Sequence, residues 1–135
     1  MIIIGVVGTG EKRHETLIKR LKKVDDSPLE VKEIGRWLGN PALSKERYYR
    51  DQIKQLKRDG FDGVAVFTNV MYHDEFLALA SQGGVMWHLV SSVSDCIPIR
   101  LGTDVLVSMM DMARRPNYIQ PEDALHHTIN SVIER

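Results

Sequence analysis

The first 21 residues constrain the fold of this chain more than any other segment. The run 2–7 is almost wholly β-branched, which is typical of a strand buried on both faces of a sheet. Gly8 and Gly10 then allow a tight turn. Beyond this turn, apolar residues recur at the spacing of a helix face: Leu17, Ile18 and Leu21. A strand, a glycine turn and an amphipathic helix in this order predict the opening unit of an α/β fold.

The same alternation of strands and helices continues to the end of the chain. We therefore expect an α/β three-layer sandwich with a mostly parallel sheet of four or five strands, forming one domain over residues 1–135. Further strands are predicted at 63–68, 85–90 and 104–107, with a short one within 31–38. Helices are predicted from Ser44 to Asp59-Gly60, through 76–80 and from Pro121 onward.

Composition limits the environment and the partners of the protein. The 18 Lys and Arg residues balance the 18 Asp and Glu residues, whereas a general nucleic-acid binder is usually markedly basic. Cys96 is the only cysteine, which excludes an intramolecular disulfide and favours a reducing cytosol. No apolar run approaches the roughly 18 to 20 residues that span a bilayer. We expect a cytoplasmic protein with neither a membrane segment nor a nucleic-acid partner.

The turn after the first strand has the length of a phosphate-binding loop but lacks its central residues. A Walker A loop reads G-x-x-x-x-G-K-[ST], in which the lysine reaches the terminal phosphates. With Gly8 as the first glycine, Arg13 stands at the second glycine and His14 at the lysine. Glu15 takes the position of the hydroxyl, and Thr16 follows one place later. The loop predicts a strand-to-helix turn with little or no affinity for nucleotides.

Two alternatives for this loop remain open. In the first, Gly8, Gly10, Arg13, His14 and Thr16 together with the helix N-terminus bind some phosphate. In the second, the G-x-G pattern opens a dinucleotide-binding Rossmann-like domain. That pattern needs a third glycine at the position of Arg13 and an acidic residue after a second strand, and neither is present.

A second group of polar residues follows the strand at 63–68. In a parallel sheet, ligands bind beyond the carboxyl ends of the strands, so Asn69, Tyr72, His73 and Glu75 are candidates for the ligand edge. His73 with its acidic neighbours could be a general base or a metal ligand. The simpler interpretation is a helix start whose acids favour the positive end of the dipole. We expect no metal site and no catalytic residue here.

The basic segment 45–58 also has two interpretations. The simpler one is a helix whose charged face is solvated. In the alternative, Arg47, Tyr48, Tyr49 and Arg50 form a surface for a partner, since aromatic residues and arginine are enriched at interfaces.

Taken together, these landmarks resemble the bacteriophage deoxynucleoside monophosphate kinases, a branch of the P-loop kinases. The opening I-I-G-x-x-G-x-x-x-x-G-K-D-T of that family is similar to residues 3–16. Its strand ending in D-V-R-[FY]-x-N-E, followed by a helix and G-G-x-[VI], is similar to 69–75 and 83–87. Its final D-x-x-[IV] strand and L-E-E-L-H helix start are similar to 104–107 and 122–126.

The departures from that family decide what the resemblance implies. Family members use the glycine–lysine pair and the acid and arginine of D-V-R, where this chain has Arg13, His14, Asn69 and Met71. The segment 91–103 is also too short for the arginine-bearing lid of the family, so we expect the lid to be missing. Phosphoryl transfer depends on positioned cations and Mg²⁺ around the moving group.

The resemblance therefore implies a non-catalytic, phage-encoded relative of a nucleotide kinase that binds and modulates a host protein, as an inhibitor or adaptor. No cofactor is expected. ATP and Mg²⁺ belong only to the alternative of a residual nucleoside monophosphate kinase or nucleotide-binding protein. A homodimer is a further alternative, because a shortened scaffold exposes apolar surface.

Overall fold

The computed structural model describes residues 1–7, 11–24, 30–34, 45–89, 97, 99–100, 102–108 and 118–133. Its strands are β1 (Ile2–Val7), β2 (Val31–Ile34), β3 (Val64–Val70), β4 (Val85–Leu89), β5 (Val105–Val107) and β6 (Tyr118–Ile119). Its helices are α1 (Glu11–Lys22), α2 (Lys45–Arg58), α3 (His73–Ala80) and α4 (Pro121–Ile133). Of these elements, none of the helices is long and apolar enough to cross a membrane.

The strands form one sheet in the order β2-β3-β1-β4-β5-β6, and every described pairing is parallel. This confirms the predicted α/β fold with a mostly parallel sheet. The sheet has six strands rather than four or five, because Tyr118 and Ile119 pair with β5. A strand of two residues has no alternating pattern that could identify it in the sequence. β3 also extends two residues beyond the predicted 63–68.

The core lies on both faces of the sheet, as the continuous apolar strands require. In β1, Ile2, Ile4 and Val6 pack on one face with residues of α1 and α4. Ile3 and Val7 pack on the other face with residues of α2 and α3. Each helix pair thus covers one face of the sheet, which gives the three layers of the sandwich.

Gly5 in the middle of β1 is required by the packing on the α2–α3 face. A Cβ atom at this position would lie 2.7 Å from the sulfur of Met86 and 2.8 Å from a methyl group of Leu79. Any side chain would therefore displace the side chains of Met86 on β4 and Leu79 on α3. The glycine lets these elements close over the centre of the sheet.

The connections that leave β1 and β3 go to opposite faces of the sheet. The chain passes from β1 into α1 on one face, and from β3 into α3 on the other. Because β1 and β3 are neighbours, the two connections separate at their carboxyl ends. Such a divergence leaves a crevice, which is where open α/β sheets bind their ligands.

Candidate functional site

A bulge in β3 shapes the crevice at the carboxyl ends of β1 and β3. The register advances evenly from Ile2 opposite Val64 to Gly5 opposite Phe67, but Val7 then lies opposite Val70. β3 therefore carries one extra residue in this stretch. Asn69 has a left-handed backbone with φ of 60°, which asparagine tolerates better than most residues. The bulge directs the Asn69 N–H out of the ladder and into the crevice.

His14 receives this N–H. The residue lies in the first turn of α1, and its Nδ1 accepts a hydrogen bond from Asn69 N at 3.2 Å. The predicted loop position and the predicted strand end, 55 residues apart in sequence, thus meet in the crevice. Their hydrogen bond ties α1 on one face of the sheet to the end of β3.

The ring of His14 is neutral at pH 7. The side chain is 2% exposed, and its pKa falls from 6.5 to about 4, first because of burial and then because of the nearby charges of Arg13 and Lys45. Since Nδ1 accepts a hydrogen bond, the single proton of the neutral ring lies on Nε2. Nε2 is buried and has no hydrogen-bond partner among the described residues.

Lys45, at the first turn of α2, brings a positive charge to the same crevice. Its Nζ lies 3.0 Å from Glu75 Oε1 and also donates to the carbonyl oxygen of Asn69. Glu75 Oε1 further accepts the backbone N–H groups of Met71 at 2.9 Å and Tyr72 at 3.4 Å. The Lys45 and Glu75 side chains are 15% and 5% exposed, so both charges are largely removed from water and compensate each other.

We call His14, Lys45, Asn69 and Glu75 the edge network. The sequence predicts three of its four members as edge residues, and the structure brings those three together. Lys45 was missed, because a cation at a helix start in a basic segment is most simply interpreted as solvated. Only the spatial position of Glu75, which lies 30 residues away in sequence, identifies Lys45 as a buried partner.

Tyr49 stabilises the end of β3 next to the edge network. Its hydroxyl donates to the carbonyl oxygen of Thr68 at 2.8 Å, and its ring packs edge-on against Phe67 with centroids 5.1 Å apart. Burial raises the pKa of the phenol far above its usual range. Tyr49 is fully buried. The prediction that it forms a partner surface with Arg47, Tyr48 and Arg50 is therefore wrong for Tyr49.

The remaining predicted site residues lie outside the edge network. Arg13 is half-buried and Thr16 is exposed on α1, while Gly8 and Gly10 fall outside the described residues. Tyr72 and His73 are exposed where α3 begins, and the His73 ring lies 5.6 Å from that of Phe76. Because His73 and Asp74 are exposed and Glu75 is buried, these three do not converge on one ligand. Within the described ranges, no three His, Cys, Asp or Glu residues are placed to hold a metal ion.

A second buried polar cluster, centred on Asp104, connects β4 to the start of β5. Asp104 accepts Met86 N at 3.1 Å and Arg100 Nη2 at 2.8 Å, and its Oδ2 lies 3.3 Å from His88 Nε2. Burial alone would raise the pKa of Asp104, but the hydrogen bonds from His88, Arg100 and Met86 outweigh it and lower the pKa. The Arg100 guanidinium also lies 5.1 Å from the Phe76 ring. These contacts hold the sheet together and leave no acceptor on Asp104 free for a ligand.

Comparison with known protein families, curated proteins and solved structures returned no match for this chain.

Proposed function

We propose that this protein is a non-catalytic relative of the nucleotide kinases that acts by binding and modulating a protein partner. The observation that carries the proposal is the state of His14. This residue stands where a phosphate-binding loop has its lysine, and it is buried, neutral and hydrogen-bonded to the backbone of β3. A neutral ring facing the sheet supplies no positive charge to a terminal phosphate.

The charges around His14 support the same proposal. The Lys45 ammonium is engaged by Glu75 and by a backbone carbonyl, so recruiting it to a phosphate would leave Glu75 buried without its partner. Glu15, one residue after His14, is exposed and lies 3.9 Å from Lys19. A carboxylate at that position repels an anionic ligand. The edge network therefore stabilises the scaffold instead of receiving a nucleotide.

The resemblance to phage kinases suggests that the scaffold descends from such an enzyme. In that setting, the partner is a protein of the host, and the chain acts on it as an inhibitor or adaptor. The alternatives are a residual nucleoside monophosphate kinase and a dinucleotide-binding domain. Each of them predicts a different ligand for the crevice.

A ligand panel followed by a transfer assay separates these functions. Thermal unfolding is measured with Mg-ATP, with each deoxynucleoside monophosphate and with NAD(P), because a ligand that binds only the folded state raises the midpoint. The proposal predicts no stabilisation by any of them and no transfer of labelled phosphate from ATP. Saturable stabilisation by Mg-ATP with transfer to a monophosphate would instead establish the kinase, and stabilisation by NAD(P) alone would establish the dinucleotide-binding domain.

A matched variant excludes the trivial explanation that the assay conditions are unsuitable. Arg13→Gly with His14→Lys restores the residue types of the phosphate-binding loop at both altered positions. The double variant should gain measurable affinity for Mg-ATP if the loop geometry survives, whereas the wild type should not. Measurable affinity of the same size in both proteins would show that His14 does not prevent nucleotide binding, which contradicts the proposal.

A further inference from the structure

Two helices of this neutral protein carry an excess of positive charge, a net +3 on α1 and the larger excess on α2. α2 contains six cations and two acids, a net charge of +4, in a chain whose formal net charge is zero. Lys45 is compensated within the edge network, but Arg50, Lys54, Lys57 and Arg58 are exposed. The excess charge of the helix is therefore directed away from the crevice and into solvent.

Three of these cations lie along one groove. Arg50, Lys54 and Lys57 follow each other at intervals of four and three residues, which places them on the same face of α2. Together with Ile53 and Gln82 they line a cavity of about 330 Å³ between α2 and the turn after α3. Lys57 Nζ donates to Gln82 Oε1 at 2.6 Å, so the groove is closed at one end by a hydrogen bond between its two walls.

The cations of this α2 groove are only partly compensated. Arg50 pairs with Glu46 on the preceding turn of the same helix. Lys54 has no acidic partner among the described residues, and the acceptor of Lys57 is a neutral amide. Exposed ion pairs of this kind exchange readily for better ones, because each contributes at most about 1 kcal/mol.

We infer that the α2 groove docks an extended acidic segment of a protein partner. From Arg50 to Lys57 the helix rises roughly 10 Å. An extended chain advances roughly 3.3 Å per residue, so carboxylates about three residues apart match the two ends of the groove. This inference rests on the proposed function, since it assigns the surface and the chemistry by which the partner is bound.

Charge balance favours an acidic peptide over a nucleic acid for the same groove. Because the whole chain is neutral, the excess on α2 is offset by a net negative charge over the rest of the protein. A general nucleic-acid binder is usually markedly basic as a whole, which this chain is not, so a short acidic segment matches the local excess on α2 better than a long polyanion does.

The test uses a fluorescent peptide of about ten residues with glutamate at every third position, and its glutamine counterpart as a control. Fluorescence anisotropy should show saturable binding of the glutamate peptide at low salt and at least about tenfold weaker binding at about 0.5 M salt. Lys54→Glu with Lys57→Glu should weaken binding by at least about tenfold. Lys22→Glu with Lys23→Glu, which changes the net charge equally on exposed positions of another surface, should change it less than about twofold.

The outcomes are distinct from those of the nucleotide panel. Absence of saturable binding, or equal weakening by both double variants, would overturn the assignment of the α2 groove. A single-stranded oligothymidylate of equal charge that binds as tightly as the peptide would overturn the choice of an acidic protein segment. Turnover of ATP would remove the proposed function whatever the peptide does. If neither the peptide nor a nucleotide binds, the proposed function persists but this surface is wrong.

Discussion

The two ends of α2 use the same residue types in opposite ways. At its start, Lys45 is 15% exposed and pairs with a buried carboxylate within the edge network. Further along, Lys54 and Lys57 are exposed in the α2 groove and have no carboxylate partner in the described part of the chain. In the first region, every charge fixes one helix to the carboxyl edge of the sheet. In the second, we propose that the exposed charges bind an anionic segment of a partner.

This difference shows why a crevice at the correct place in an α/β sheet is not sufficient evidence for a nucleotide site. A binding site keeps polar groups unsatisfied until the ligand arrives. The edge network instead satisfies the Asn69 N–H, the Lys45 ammonium and the Glu75 carboxylate with protein atoms. Within it, only the buried, neutral His14 Nε2 has no partner among the described residues. The α2 groove satisfies fewer of its charged groups, and it is there that we place the partner.

The largest effect should come from breaking the buried ion pair. Glu75→Gln leaves Lys45 with a neutral partner in a largely buried position, and we expect it to lower the free energy of unfolding by about 2 to 4 kcal/mol. Lys57→Gln, which removes a cation of the same type from the α2 groove, should change it by less than about 0.5 kcal/mol. Urea unfolding followed by circular dichroism measures both. Similar small losses in the two variants would show that the edge network is solvated like the groove.

The next largest effect should be the pH dependence caused by His14. Its pKa of about 4 in the folded state lies below 6.5 for the unfolded chain, so the unfolded state binds the proton first as the solution is acidified. The contribution to stability is complete above pH 6.5 and is lost as the pH falls through 4, by about 3 kcal/mol in total.

His14→Asn isolates this contribution. The asparagine carbonyl can still accept the Asn69 N–H, but the side chain does not titrate. We expect the stability of this variant to vary less with pH between 6.5 and 4 than that of the wild type. His73→Asn, which alters an exposed ring at the start of α3, is the matched control. If both variants retain the full pH dependence, the loss of stability in acid does not come from His14.

Removing the buried hydroxyl of Tyr49, next to the edge network, should have a smaller effect on stability. Tyr49→Phe leaves the Thr68 carbonyl without its donor, and we expect a loss of about 1 to 2 kcal/mol. Tyr72→Phe removes the hydroxyl of an exposed ring and should cost much less. Thermal unfolding of the two variants measures the difference. Equal midpoints would indicate that the Tyr49 hydroxyl is solvated, as the alternative of an exposed partner surface predicts.

The sequence predicted the sheet well because buried parallel strands consist of continuous apolar runs. β1, β3 and β4 are such runs, and the apolar spacing of α1 and α2 is equally plain. β6 could not be predicted, since two residues carry no period.

The candidate site was predicted less completely. His14 and Asn69 were both expected at the ligand edge, because each follows a strand whose carboxyl end lies there. The bulge that brings them together could not be predicted, because one extra residue leaves the apolar pattern of β3 unchanged. The pairing of Lys45 with Glu75 depends on the docking of α2 against the end of β3, and local sequence contains no signal of that arrangement.

The most direct test of the central claim is a nitrogen-15 NMR titration of the His14 ring, with and without Mg-ATP. We predict a neutral ring at pH 7 with the proton on Nε2, a pKa of about 4 and shifts that do not change when Mg-ATP is added. A proton on Nδ1 at pH 7, or ring shifts that move and saturate with Mg-ATP, would contradict the account. Either result would mean that His14 is free to meet a phosphate.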